Sequence, residues 1–403
     1  MPPTRYVIVG AGIVGLAVAH RLLLDRPHAT VTVLEKDGRV GAHQTGHNSG
    51  VIHSGIYYRP GSLRARLCVA GARSMVAFCE ENGIAMEITG KLIVATAPDE
   101  LPRLRALAQR AVANGVPARL LDPAEARAIE PHVACLAALH VETTGITDYR
   151  AVCDTLAKLV TERGGQVRLA ARVTAVSATT VRTSDGDVPV DVLVNCAGLH
   201  ADRIARLAGL APEVRIVPFR GEYFTVRRDL VRGLIYPVPD PSLPFLGVHL
   251  TRMVDGSLHA GPNAVLALAR EGYRWGRVDL RDLAEAASYP GLWRLGRRHL
   301  GTGVAEVRRS LSRRRFAASL ARLVPEVTRD DLVPAPAGVR AQAVTRSGAL
   351  VDDFLLLRGE GIPDGRTGVA TGPRSQLHVL NAPSPAATSS LEIARRIVDE
   401  LPT

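Results

Sequence analysis

Hydrophobic positions along this chain change rhythm every ten to twenty residues. "RYVIV" (5–9) is a short β-branched run, "LAVAHRLLL" (16–24) repeats apolar residues at helical spacing, and "ATVTVLEK" (29–36) alternates again. The order predicts strand, turn, helix and strand. Further on, "SLRARLCVAGARSMVAFCEENG" (62–83) predicts a helix stopping near Gly83, "KLIVAT" (91–96) a strand, and 98–115 a second helix. Residues 122–131 suggest a short helix and loop, 145–165 a turn and an amphipathic helix, and 166–209 short strands around an SDGD turn, with the buried run "VDVLVNCAG". From 216 to 262 the chain is rich in β-formers, Pro and Gly, with strands expected near 221–226 and 245–251, while 278–330 is helical and charged. Strand–helix alternation at both ends around a β-rich middle implies an α/β fold (α+β overall). The expected architecture is a doubly wound, Rossmann-like domain interrupted by a β-rich insertion. The expected division is 1–83, 145–212 and 335–403 for the first unit, and 84–144 and 213–334 for the inserted one.

Three places stand out within this frame. "GAGIVG" puts glycines at 10, 12 and 15 between a strand and a helix, and Glu35 ends the next strand. This is the dinucleotide-binding pattern in its proper context: Gly10 for a tight turn, Gly12 for close approach of a pyrophosphate, Gly15 for helix–strand packing, Glu35 for ribose hydroxyls. The motif alone does not choose between FAD and NAD. "VLVNCAGLHADRIARLAG" (192–209) is a second strand–turn–helix, placing Ala197 and Gly198 at the sheet's carboxyl edge, where ligands bind in open α/β sheets. "LHVLNAPSPAATSSLEIARRIVDEL" (377–401) leads a loop of small residues into a helix, with Ser389 and Glu392 at capping-box spacing. A fourth stretch, "HNSGVIHSGIYYRPGSLRA" (47–65), fits neither rhythm and concentrates histidine, tyrosine, arginine and glycine.

Composition narrows the choices. The 403 residues carry 46% hydrophobic and 22% charged side chains, an ordinary globular balance. Five cysteines without a CxxC pair argue against a disulfide framework or zinc site, and no metal is expected. The start lacks a signal-peptide layout, and no apolar run is long enough to span a bilayer, so a cytoplasmic location is expected. The net charge of +11 points to acidic partners. Part of it is local: residues 294–315 hold eight arginines, which suggests either a solvated face or a peripheral contact with the inner face of a membrane. No nucleic-acid motif is present and aromatics are 4%, so no nucleic-acid partner is expected.

Together, "GAGIVGLAVAHRL", "HNSGVIHSGIYYRPGSLRARLC", "VNCAGLHADRIA", "RGEYF", "YPVPDPSLPFLGVHLTRMVDGSLHAGPNAVLA", "GVRAQAV", "LVDDF" and "HVLNAPSPAATSS" resemble the L-2-hydroxyglutarate oxidase/dehydrogenase family of the FAD-dependent D-amino-acid-oxidase-like superfamily. The stretch 357–376 departs from it, being longer and more polar. The resemblance implies non-covalent FAD on Gly10, Gly12, Gly15, Glu35, Lys36, Asn48, Ser49, Gly50, Val51, Ala197, Gly198, Asn381, Ala382, Pro383 and Ser384. His378 is the one histidine near the C-terminal flavin loop. The implied reaction takes a 2-hydroxy acid to a 2-oxo acid, with hydride passing to flavin N5 and electrons going on to a quinone, an electron carrier or oxygen. Amine oxidation on the same fold, or a flavoprotein without turnover, remain open. An alcohol proton needs a base, for which His53 is the first candidate and His249 and His259 the second; a histidine near its reference pKa of about 6.5 would make the rate fall at low pH. A dicarboxylate substrate needs cations: Arg252, Arg64 or Arg220, with Tyr57, Tyr58 or Tyr223 donating hydrogen bonds.

Overall fold

The computed structural model describes residues 2–240, 246–360 and 372–402. Most of the 357–376 stretch therefore lies outside the described residues, as does the middle of "YPVPDPSLPFLGVHL".

A six-stranded sheet forms around the first strand. Its order is Leu355–Gly359, Ser375–Asn381, Val192–Asn195, Arg5–Val9, Thr30–Leu34 and Gln166–Arg168, all neighbours parallel except the first pair. The central strands are apolar on both faces because helices cover one side and a small three-stranded sheet the other. The helices Ile13–Asp25, Tyr149–Glu162 and Ser390–Glu400 bring Leu16, Leu22, Val152, Leu156, Ile393 and Ile397 into one core with Ile8 and Val33. Full burial of each such aliphatic side chain is worth about 1.5–3 kcal/mol. Arg26, just past the first helix, donates to the carbonyls of Val398 (3.0 Å) and Leu401 (2.9 Å), closing the end of the last helix.

A nine-stranded sheet makes the second layer. Its strand Lys91–Ala95 pairs parallel with Leu234–Pro237 and antiparallel with Ala137–Val141. The long strand Val214–Val226 pairs with Leu332–Thr345 along nearly its whole length, with a register shift between Gly221 and Tyr223. Leu332–Thr345 thus runs across the expected boundary at 335 and sits wholly in the second sheet. Strand ends at 221–226 and 249–252 agree with the β-rich reading of that region, and 280–321 is helical.

One local expectation fails. Ser389 begins the last helix but makes no side-chain cap, and its hydroxyl is buried without a partner among the described residues. Glu392, the other half of the expected capping box, is drawn away: it accepts from the Ser74 hydroxyl of the neighbouring helix and pairs with Arg395 at 3.2 Å.

Candidate active site

The glycine turn joins strand Arg5–Val9 to helix Ile13–Asp25. Gly10 adopts φ +105°, and a Cβ there would lie 2.6 Å from the Cys196 carbonyl oxygen. A Cβ on Gly15 would lie 2.0 Å from the Gly10 oxygen, so both glycines are demanded by packing. Gly12 differs. Its nearest neighbour would be the Thr45 hydroxyl at 3.5 Å, an ordinary contact, and it faces a cavity. Among the described residues nothing requires a glycine there, and the position is open to a group approaching from the cavity. Glu35 is buried beside it, accepting from the backbone N–H of Ala11 (2.9 Å) and of Asp37 (3.0 Å). Lys36 pairs with Asp37 (2.7 Å) and Glu271 (2.8 Å). Glu35, Asp37 and His43 bring ligand-type atoms within 4.8 Å of one another, but these backbone bonds and the Lys36 and His43 pairs with Asp37 already engage the carboxylates.

The cavity measures about 1020 Å³, at the top of the range of about 300–1,000 Å³ for cofactor and small-ligand pockets. Gly12, Glu35, Lys36, Asn48, Ser49, Val51, Ala197 and Gly198 line it, as do Ala382, Pro383 and Ser384 of the C-terminal loop. Thr388 ties that loop to the 47–65 stretch: the His53 N–H donates to its hydroxyl at 3.1 Å, and the hydroxyl donates to the Val51 carbonyl at 3.2 Å. Gly50 and Asn381 shape the walls from outside. A Cβ on Gly50 would meet the Thr147 oxygen at 2.8 Å, and the Asn381 amide donates to the carbonyls of Val351 (2.8 Å) and Asp353 (2.9 Å). His378 lies on the buried strand, bonded to Asn195 (2.9 Å) and Gln376 (3.1 Å), so it faces the core.

The same cavity gathers His53, Tyr57, Tyr58, Tyr223, Tyr236, His249 and Arg340. His53 Nδ1 and the Tyr57 hydroxyl are buried without a partner among the described residues. Burial, with Lys91, His249 and Arg64 adding positive charge, holds His53 well below the usual histidine range. His249 is pushed down to about 3, mainly by burial. Its Nδ1–H donates to the Gly247 carbonyl at 3.0 Å, which leaves Nε2 as the acceptor, and its ring stacks on Tyr236 with centroids 3.8 Å apart. Both imidazoles are neutral near neutrality, so the expected fall in rate around pH 6.5 does not follow from either.

Several candidates lie elsewhere. Arg252 is a correction: side chains alternate along strand His249–Arg252, Leu250 enters the core on the far face, and Arg252 follows it to pair with Asp229. His259, opposite Thr251 in the ladder, does not reach the cavity wall either. Arg220 is paired with Glu222 (2.8 Å) and stacked over Trp275 (5.3 Å), also away from the wall. Arg64 does line the cavity, but its guanidinium is occupied by the carbonyls of Ser384 and Asp352 (2.9 Å) and lies over the Tyr58 ring. Two residues escaped the sequence reading, Arg340 and Lys91. Each sets one cation in a small or apolar strand, "PAPAGVRAQAV" and "GKLIVA", Lys91 buried and Arg340 half-buried, and that interruption was the available signal.

A parallel sheet with a glycine turn at its carboxyl edge, joined to a cavity of histidine, tyrosine and arginine, defines a flavin-type oxidoreductase, and the model of the FAD dependent oxidoreductase family matches residues 5–399. The chain is 44% identical to the L-2-hydroxyglutarate dehydrogenase of Indibacter alkaliphilus over 98% of both chains. It is 43% identical to the mitochondrial L-2-hydroxyglutarate dehydrogenase of Homo sapiens, over 98% of this chain and 88% of that one. In fold it is similar to the FAD-bound, dithionite-reduced L-alpha-glycerophosphate oxidase of Mycoplasma pneumoniae, with a TM-score of 0.77, 23% identity, and coverage of 100% of this chain and 96% of that one. The chain belongs to the L-2-hydroxyglutarate dehydrogenase family of FAD-dependent oxidoreductases.

Proposed function

We propose that this protein oxidises L-2-hydroxyglutarate, or a close 2-hydroxy acid, to the 2-oxo acid and passes the electrons to a quinone, an electron carrier or oxygen. The relatives' activity supports this, and one observation carries it: a neutral histidine with an open ring nitrogen, His53, shares the cavity with half-buried Arg340. FAD fits the cradle of Gly10, Gly12, Glu35, Ala197 and the 382–388 loop without a covalent link, and when bound it supplies the two-electron acceptor for the C2 hydrogen. His53 takes the hydroxyl proton, with His249 the second candidate. Arg340 holds the substrate's C1 carboxylate and the Tyr57 hydroxyl completes its hydrogen bonds. The test is product analysis: holoenzyme with L-2-hydroxyglutarate and a soluble quinone should form 2-oxoglutarate. Turnover of glycine or D-amino acids with none of the hydroxy acid would overturn the proposal.

The two sheets support a division into a cofactor unit and a substrate unit, with strand Leu332–Thr345 given to the second. The arginine-rich stretch supports the peripheral membrane contact. No described helix is long and apolar enough to cross a membrane. Helix Leu300–Ser310 buries none of its residues, and Leu300, Val304, Val307 and Leu311 line up at helical spacing on its exposed side. Leu300 and Leu311 are each 69% exposed and Trp293 61%, flanked by Arg297, Arg298, Arg308, Arg309 and Arg313. Apolar residues ringed by arginines suit an anionic lipid surface, each arginine adding about 1 kcal/mol. Sedimentation with phosphatidylglycerol vesicles should carry the protein down at low salt. Leu300→Ser with Leu311→Ser should release it, and equal pelleting of that variant would refute the contact.

A further inference from the structure

The strand Lys91–Ala95 is buried along its whole length. Its side chains alternate: Leu92 and Val94 enter one apolar core, Ile93 and Ala95 the other. Lys91 opens the strand on the Ile93 side, 2% exposed. Its ammonium makes no hydrogen bond among the described residues. Instead it lies over two aromatic rings, 4.6 Å from the Tyr57 centroid and 5.0 Å from that of Tyr236. Both tyrosines line the active-site cavity, and the Tyr57 hydroxyl is itself unpartnered among the described residues. Ring faces compensate an ammonium only in part. A lone buried cation is costly to fold, and apolar neighbours would accept a methionine at this position.

We propose that Lys91 is the specificity-determining cation for the second carboxylate of a dicarboxylate substrate, acting on it at the Tyr57–Tyr236 wall. The proposal rests on the hydroxy-acid reading above and deepens it. A one-carboxylate substrate is held by Arg340 alone. A five-carbon dicarboxylate brings a second negative charge, and Lys91 stands behind this wall, its ammonium over the two rings and without a hydrogen bond among the described residues, so that its charge acts through them. The arrangement also makes recognition pH-dependent. Burial pulls Lys91 down to about 7, opposed only by the nearby Cys68. Its cation is therefore present below pH 7 and lost as pH rises through that value in the free protein. The groups around it do not titrate in the same window. Cys68 is pushed up to about 12, Tyr57 and Tyr236 are raised, and His53 and His249 are lowered.

The test uses the FAD-loaded full chain and two variants, Lys91→Met and Lys91→Arg. Lys91→Met should retain FAD, melt at a higher temperature than the wild type, and raise KM for L-2-hydroxyglutarate by about 10- to 100-fold, the scale of one charge–charge attraction across a protein interior. KM for the monocarboxylate L-2-hydroxybutyrate should change by less than about threefold, within the modest range of a lost apolar contact. Wild-type kcat/KM for the dicarboxylate should fall as pH rises from 7 to 9, and Lys91→Arg should flatten that fall. Glutarate, which cannot react, should inhibit the wild type competitively and the methionine variant far less. Parallel losses for both substrates, or a lower melting temperature in the methionine variant, would overturn the proposal and mark Lys91 as structural. Failure of the wild type to oxidise either hydroxy acid would instead overturn the functional reading beneath it.

Discussion

Gly12→Ala separates a glycine kept for a ligand from one kept for the fold. A methyl at Gly12 finds its nearest neighbour at 3.5 Å, so the apoprotein should fold and melt as the wild type does. In the loaded protein, with FAD on this turn as proposed, that methyl would occupy the face from which the pyrophosphate approaches the backbone. Forcing one extra carbon into a filled contact costs about 1–3 kcal/mol. At about 1.4 kcal/mol per factor of ten, FAD affinity should fall by roughly 5- to 150-fold. Gly15→Ala is the control: its methyl would sit 2.0 Å from the Gly10 oxygen, so that variant should lose stability before any ligand is added. The assay is an apoprotein thermal melt followed by FAD titration, read by quenching of flavin fluorescence. Wild-type FAD affinity in Gly12→Ala would refute the placement of the cofactor on this turn.

Three further outcomes follow from the site. His53→Ala should keep full flavin content but slow reduction by substrate on the order of 10²- to 10⁴-fold, checked by anaerobic stopped-flow; a near-normal rate would move the base role to His249. Arg252→Ala should leave KM for every hydroxy acid unchanged within error, because the side chain pairs with Asp229 outside the cavity. Arg270→Ala should destabilise the fold by about 3–5 kcal/mol, since it leaves the buried Asp202 carboxylate without its main partner (Nη2–Oδ2 3.0 Å). Arg270 and its neighbours lower the Asp202 pKa against burial, so this stabilisation is present above the ordinary carboxylate range and lost as pH falls through the folded value; urea melts at pH 7 and pH 3 measure it.

The parts of the fold written in local rhythm were legible in the chain. Strand Arg5–Val9, its glycine turn and helix Ile13–Asp25 follow from periodicity and three glycines, because their contacts are close in sequence. The pairing of Val214–Val226 with Leu332–Thr345 joins residues more than a hundred positions apart, and nothing local announces it. The site divides in the same way. His53, Tyr57 and the 382–384 loop were visible as odd compositions, and the cavity holds them all. Arg252 was a candidate because arginine suits a carboxylate, yet its three-residue step from His249 along the strand puts it on the opposite face. Arg340 and Lys91 leave only a single cation in a small or apolar strand as a mark in the sequence. Their meaning comes from the burial of Lys91 and the place of Arg340 on the cavity wall, which only the packed structure supplies.

The most direct measurement of the central claim is anaerobic reduction of the purified yellow protein by a panel of 2-hydroxy and 2-amino acids, followed at the flavin absorbance band. The account predicts rapid bleaching by L-2-hydroxyglutarate, slower bleaching by its D-isomer and by monocarboxylic hydroxy acids, and none by glycine or D-amino acids. Bleaching by the amino acids with L-2-hydroxyglutarate inert would contradict it.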